Sequence, residues 1–162
     1  MLPTSSGDYS FTAAIADEAA TYSLMTDVAA VIEPGDVITL SGDLGAGKTT
    51  FARALLTALG VGERVKSPTY SLIESYRAGA LDAHHLDLYR IADPGELEWL
   101  GLGDLFGGSP LVVVEWPERG GDALPTPDLV LRLDHAGSRR ELSGEAKSAR
   151  GEALLGALRS SG

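Results

Sequence analysis

Short apolar runs and longer amphipathic stretches alternate along the chain. Runs of apolar and β-branched residues bounded by glycine or proline are typical of buried strands. Apolar residues that recur every three or four positions, between a capping residue and a glycine, indicate helices. The predicted strands are residues 10–15, 37–41, 67–73, 86–89, 111–114, 129–133 and 139–143, and the predicted helices are residues 17–32, 49–59, 96–100 and 152–159.

This order of elements predicts a single α/β domain. Helices that alternate with buried strands build a layered domain, in which a mixed, largely parallel sheet is flanked by helices. The last two predicted strands, 129–133 and 139–143, are close enough in sequence to pair as an antiparallel hairpin. We expect the domain to span residues 10–162 and residues 1–9 to form a flexible polar tail.

Composition narrows the class of protein. The chain of 162 residues has a net charge of −10 at pH 7, which argues against a surface that grips nucleic acid, because such surfaces are built from clustered Lys and Arg. It has no cysteine, no apolar leader and no apolar run long enough to cross a bilayer. We therefore expect a soluble cytoplasmic protein that does not hold RNA by itself.

The connection between the second predicted strand and the second predicted helix matches the pattern G-x-x-x-x-G-K-[ST]. In that position the pattern is typical of a loop that wraps backbone N–H groups around the phosphates of a nucleoside triphosphate. Lys48 is expected to reach the β- and γ-phosphates, and the Thr49 hydroxyl to bind Mg²⁺. The predicted nucleotide-binding residues here are Gly42, Asp43, Leu44, Gly45, Ala46, Gly47, Lys48, Thr49 and Thr50.

The choice between ATP and GTP depends on two residue types that are missing. The sequence contains neither Asn nor Gln. A Ras-type GTPase recognises guanine through an Asn-Lys-x-Asp segment and orients its attacking water with Gln. The sequence therefore favours ATP as the nucleotide. We expect it to bind together with Mg²⁺.

Two acidic residues, one directly after a predicted strand and one within another, are candidates for the metal site. Glu115 closes the apolar run 111–114, and Asp87 lies within the predicted strand 86–89. An acid in this position supports Mg²⁺ in many nucleotide hydrolases, but it is equally common as a solvated turn residue or a helix cap. Thr69, in a Ser-Pro-Thr segment, is either a hydroxyl near the γ-phosphate or part of an ordinary turn. His84 and His85 lack a spaced partner for a metal cluster and are interpreted as structural.

Five short motifs follow one another over about residues 15–142. They are residues 42–50 (GDLGAGKTT), 66–70 (KSPTY), 85–90 (HLDLYR), 96–98 (ELE) with Gly101, and 115–117 (EWP). In this order and spacing they resemble the bacterial TsaE (YjeE) family. The ordered set is far more specific than the glycine-rich loop alone.

The resemblance implies a small P-loop ATPase of the pathway that places threonylcarbamoyl on the adenosine beside the anticodon of certain tRNAs. Members of the family dock on the TsaB–TsaD pair, and their ATP turnover resets that machine between catalytic cycles. They do not perform the transfer themselves. The resemblance thus implies TsaB and TsaD as partners, and contact with tRNA only through their complex.

The resemblance also implies roles for individual residues. Lys48 and Thr49 become the phosphate and Mg²⁺ contacts, and Glu115 the acidic residue of the metal site. Asp87 becomes a second acid at the metal that is needed for hydrolysis. Thr69 becomes a hydroxyl on the γ-phosphate side.

Two further nucleotide contacts are implied away from the loop. Family members hold the nucleotide with a residue of the first helix and with an Arg on a late strand. The best matches are Glu18 and Arg140, although the adjacent Arg139 leaves the register of the second match open.

Two rival functions share the same loop. A small-molecule kinase needs an acceptor pocket and an Arg-bearing lid, whereas the Arg residues here are scattered along the sequence. A binding module would use nucleotide only to order a docking surface, and the two acids argue against it. We expect an ATP hydrolase that is weak alone and is stimulated by its partners.

Overall fold

A seven-stranded sheet forms the centre of the molecule. The computed structural model describes residues 10–43, 45, 47–61, 72–100 and 102–161. The strands are β1 (Ser10–Ile15), β2 (Val37–Gly42), β3 (Ile73–Ala78), β4 (Leu81–Asp87), β5 (Leu111–Glu115), β6 (Leu129–Ala136) and β7 (Arg139–Ala146). The helices are α1 (Glu18–Ala29), α2 (Lys48–Ala58), α3 (Leu102–Leu105) and α4 (Ala149–Ser161), with 3-10 helices at Pro94–Leu100, Pro117–Arg119 and Gly121–Ala123.

The sheet is parallel in its centre and antiparallel at both sides. Its strand order is β1-β7-β6-β2-β5-β4-β3. Strand β2 lies parallel to β5 and β6, and β4 lies parallel to β5. The antiparallel pairs are β1 with β7, β6 with β7, and β3 with β4. The predicted α/β class, mixed sheet and late hairpin are confirmed, and the carboxyl ends of four parallel strands meet at one edge.

Alternate residues of the central strands enter two separate hydrophobic clusters. In β5, Leu111 and Val113 join the cluster that contains buried residues of α1, α2 and α4, while Val112 and Val114 join the other. Because side chains of a strand alternate between faces, these clusters cover opposite sides of the sheet. No helix in the described ranges combines the length and apolar character that crossing a membrane requires.

Helix α1 begins as the sequence predicts. The Asp17 side chain accepts a hydrogen bond of 2.9 Å from the backbone N–H of Ala20, and Glu18 lies in the first turn. An acceptor at this position satisfies one of the otherwise unpaired N–H groups at a helix start. Glu18 is thereby fixed next to the end of β1, at the same edge of the sheet as the glycine-rich loop.

The region between α2 and β5 differs from the predicted strands. The sequence predicts strands at 67–73 and 86–89, whereas the structure has a hairpin of β3 and β4 that turns at Gly79, where φ is +63°. Strand β4 starts at Leu81 and ends at Asp87, so the predicted strand was placed too late. Two histidines and an aspartate interrupt its apolar pattern and conceal its first half. Residues 67–71 lie outside the described residues.

The start of α4 is packed against the chain that enters β6. Asp128 accepts hydrogen bonds from Ser148 Oγ at 2.7 Å and from the Val37 N–H at 2.8 Å. A Cβ added at Gly151 would lie 1.8 Å from the carbonyl oxygen of Asp128. Only glycine permits this approach, because a rigid backbone atom occupies the space that any side chain would need.

Gly151→Ala is therefore expected to destabilise the fold by at least about 3 kcal/mol, the upper range for overpacking. Gly156→Ala, in the same helix, is the matched control because a Cβ there meets nothing within 4 Å. It should be neutral or stabilise by up to about 1 kcal/mol, as helix propensity predicts. Urea denaturation of the two variants measures both effects. Equal stability of the two would contradict this packing.

Candidate functional site

The glycine-rich loop (residues 42–49) is clamped against the end of β6. The Asp43 N–H donates to the Leu133 carbonyl at 3.1 Å, and Asp43 Oδ2 accepts from the His135 N–H at 3.1 Å. At Gly42, φ is +124° and an added Cβ would lie 1.8 Å from that same carbonyl oxygen, so the position requires glycine. Leu44 and Ala46 lie outside the described residues. The loop is thus anchored at its start, and the Asp43 side chain serves this anchor.

Lys48 opens α2 and is held inside the curve of the loop. Its Nζ donates to the carbonyl oxygens of Gly42 at 2.9 Å and Asp43 at 2.7 Å, and lies 4.4 Å from the ring centroid of Trp116. Burial lowers the pKa of Lys48, while the negative charge of Glu115 and other nearby acids opposes this shift. The ammonium is thus fixed against the backbone of the loop.

Asp87 and Glu115 end adjacent parallel strands and are paired in register. Glu115 is only 2% exposed. Its Oε1 accepts a hydrogen bond of 2.8 Å from the Thr49 hydroxyl, and its Oε2 lies 2.6 Å from His85 Nε2. Burial, together with the charge of Glu115, raises the pKa of Asp87. The structure therefore brings the two predicted acids together with the loop hydroxyl.

A cavity of about 340 Å³, here called the loop cavity, joins these groups. Gly45 and Gly47 form its rim, with φ of +79° and +104° and open space where a Cβ would point. A backbone of this kind can approach a ligand without hindrance from side chains. The lining residues are Gly45, Gly47, Lys48, Thr49, Thr50, Asp87, Tyr89, Glu115 and Trp116.

A second cavity of about 280 Å³, here called the helix cavity, adjoins the first through Gly47 and Thr50. Glu18 at the start of α1 and Arg140 on β7 both line it. Arg140 pairs with Ile15 of β1, and the adjacent Arg139 does not line this cavity. Glu18 and Arg140, which were predicted to hold the nucleotide away from the loop, therefore lie in a cavity that adjoins the loop cavity. Of the two adjacent arginines, Arg140 is the one that lines it.

A model of the family described as Threonylcarbamoyl adenosine biosynthesis protein TsaE matches residues 15–142. The chain belongs to the TsaE family. The matched range contains the loop, both acids, Glu18 and Arg140, so the residues that line the two cavities fall within it.

Individual TsaE relatives extend the match. The Haemophilus influenzae protein named tRNA threonylcarbamoyladenosine biosynthesis protein TsaE is 39% identical over 126 residues, covering 78% of this chain and 80% of that protein. A Bacillus subtilis protein of the same name is 42% identical over 127 residues, covering 78% and 79%. The crystal structure of Bacillus subtilis YdiB has a TM-score of 0.76 and 32% identity, covering 93% of this chain and 95% of that one.

The structure adds residues that the sequence interpretation of this TsaE chain missed. His85, interpreted as structural, contacts Glu115, and both side chains are almost fully buried. The rings of Tyr89 and Trp116 pack at a tilt of 52° with centroids 5.0 Å apart, and the guanidinium of Arg119 lies 5.4 Å from the Trp116 ring centroid. One available signal was the strand period of two, which places His85 on the same face as Asp87. Thr69 lies outside the described residues, so its role as a hydroxyl on the γ-phosphate side stays a prediction.

The groups around Thr49 suit a hard cation that is also bound to phosphate. In the described residues, no three His, Cys, Asp or Glu side chains are clustered as a metal site. Mg²⁺ does not need such a cluster, because it retains waters and takes ligands from substrate phosphates beside one or two carboxylates. The Thr49 hydroxyl and the two carboxylates match that requirement.

The raised pKa of Asp87 leads to a testable effect on stability. The folded protein retains the Asp87 proton to a higher pH than the unfolded chain does, so stability falls as pH rises from the ordinary aspartate pKa through the raised one. Asp87→Asn should therefore melt at a higher temperature than wild type at pH 7, and the difference should shrink in acid. Thermal melts across pH measure this. If Asp87→Asn were less stable than wild type at pH 7, the raised pKa of Asp87 would be contradicted.

Proposed function

We propose that this TsaE-family chain is a Mg²⁺-dependent ATP hydrolase that acts in tRNA threonylcarbamoyladenosine biosynthesis. One observation carries the proposal: the Thr49 hydroxyl donates to the buried carboxylate of Glu115 inside a cavity that Lys48 and Asp87 also line. A hydroxyl, an ammonium and two carboxylates beside a glycine-rich loop are the groups that phosphoryl transfer from a nucleotide requires.

The two adjoining cavities suit the two parts of ATP. The triphosphate fits the loop cavity, where the helix α2 dipole and backbone N–H groups favour negative charge. The nucleoside fits the helix cavity between Glu18 and Arg140. ATP is proposed over GTP because the chain has no Asn or Gln for guanine recognition or for orienting water.

The proposed metal site consists of Thr49, Glu115 and Asp87. Thr49 would contribute its hydroxyl oxygen, because its proton is already donated to Glu115. Bound Mg²⁺ would neutralise charge on the phosphates. The chain's own contribution would be positioning and electrostatic stabilisation: Lys48 would hold the phosphates, and Asp87 would orient or deprotonate the attacking water.

The family and the names of the relatives support the place of this activity in tRNA modification. We propose TsaB and TsaD as the proteins on which the chain acts, with ATP turnover resetting their complex between cycles. The net charge of −10 suits docking against a complementary protein surface and leaves most RNA contacts to the partners. The same charge supports indirect contact with tRNA.

Phosphate release from ATP separates this function from its two rivals. The isolated chain should release phosphate slowly, and addition of TsaB and TsaD should accelerate release, because an ordering contact or cation supplied by a partner can raise turnover by orders of magnitude. A kinase would instead transfer the phosphate to an added acceptor, and a pure binding module would release none under any condition. Either outcome would refute the proposed hydrolase.

A further inference from the structure

His85 and Glu115 form a buried pair next to the loop cavity. His85 lies on β4 and Glu115 ends the neighbouring β5, and their exposed fractions are 0% and 2%. The 2.6 Å contact joins His85 Nε2 to Glu115 Oε2. Groups of this polarity remain in an interior only when they are paired, so each fixes the position of the other.

The surroundings of the second ring nitrogen of His85 favour one position for the ring proton. Nδ1 is buried and has no hydrogen-bond partner among the described residues. A proton there would be an unpaired buried donor, whereas a bare lone pair is the less costly state. This geometry favours a proton on Nε2 that forms a hydrogen bond to the Glu115 carboxylate.

The Glu115 carboxylate also forms a hydrogen bond through its other oxygen. Glu115 Oε1 accepts the proton of the Thr49 hydroxyl at 2.8 Å. A hydroxyl has one proton and two lone pairs, so donation to Glu115 leaves the lone pairs of Thr49 free for a cation. If the Glu115 carboxylate rotated, the Thr49 hydroxyl would lose its hydrogen-bond acceptor. Its lone pairs would then no longer be held in the direction of a bound cation.

We propose that His85 is a positioning residue that holds Glu115 in the orientation required to present the Thr49 oxygen to Mg²⁺. The inference rests on the proposed function, since it concerns the same metal site. It differs from a purely structural role, because a packing residue would affect stability without changing how strongly Mg²⁺ enhances ATP binding. Hydrogen-bonded residues behind a metal site typically alter metal affinity by about 10–100-fold when they are replaced.

The test compares His85→Gln with His85→Met. The two substitutes have similar length, but only Gln retains an N–H donor near the position of Nε2. ATP affinity is measured by calorimetry with Mg²⁺ and with a chelator, and the ratio of the two affinities is the magnesium enhancement. We expect His85→Met to reduce this enhancement by about tenfold or more, and His85→Gln to retain most of it. Equal enhancement in His85→Met and wild type would overturn the inference.

Wild-type protein provides a readout that does not depend on the variants folding. With ¹⁵N-labelled histidine, NMR should show a protonated Nε2 and a bare Nδ1 for His85. A proton on Nδ1 would overturn the inference. Wild-type protein also separates this inference from the proposed function: absence of any magnesium enhancement in wild type would refute the metal site itself, and the role of His85 with it.

Discussion

Lys48→Ala is expected to weaken ATP binding by about a hundredfold, or about 3 kcal/mol, while the fold is kept. The ammonium lies inside the glycine-rich loop, where it donates hydrogen bonds to the carbonyl oxygens of Gly42 and Asp43. A charge-assisted contact to phosphate is among the stronger hydrogen bonds in proteins, and its loss falls directly on nucleotide affinity. Calorimetric titration of the folded variant with ATP and Mg²⁺ measures the loss.

Lys147→Ala is the matched control. It also removes one positive charge, but its side chain is 46% exposed and pairs with Glu145 on the surface. Exposed pairs of this kind contribute little, so the control should bind ATP as wild type does. Wild-type affinity in folded Lys48→Ala would show that the loop does not hold the phosphates.

Glu115→Gln should abolish the magnesium enhancement of ATP binding and reduce partner-stimulated phosphate release by about a hundredfold or more. The amide keeps the shape of the side chain but removes the charge that faces Thr49 and His85. Removing one preorganised electrostatic group from an active site commonly costs about 3 kcal/mol in the transition state. Parallel measurements of phosphate release and ATP affinity separate turnover from binding.

Glu118→Gln controls for the loss of charge in the same neighbourhood. Glu118 lies in the 3-10 helix that follows β5, and its negative charge raises the pKa of Lys48 against the effect of burial. Its replacement should leave the magnesium enhancement unchanged. If Glu115→Gln behaved like this control in both measurements, Glu115 would not belong to the metal site.

Much of the fold could be predicted because its signals are local. Strand β1, the Asp17 cap and the hairpin of β6 and β7 each follow from a pattern within a few residues. The glycine-rich loop is likewise a continuous segment between one strand and one helix. Its two acids could be proposed because parallel strands end at the same edge of the sheet.

The remaining features depend on contacts between distant segments. Glu115 contacts His85, which is 30 positions away in the sequence, and Thr49, which is 66 positions away. The period of two within β4 places His85 on the same face as Asp87, but it does not show that His85 contacts a carboxylate on another strand. Trp116 lies over Lys48 from a left-handed backbone with φ of 59°, a conformation that sequence seldom reveals for a large residue.

Repeated rounds of tRNA modification show whether ATP turnover by this chain resets the TsaB–TsaD complex. A reaction that contains TsaB, TsaD, tRNA, threonylcarbamoyl-adenylate and ATP is run with the wild-type chain and with Lys48→Ala, and modified tRNA is counted per TsaB–TsaD complex. We predict many rounds with wild type and a stall after about one round with the variant, because ATP turnover by this chain would reset the complex. Sustained multiple-turnover modification with Lys48→Ala would show that the complex is reset without ATP turnover by this chain.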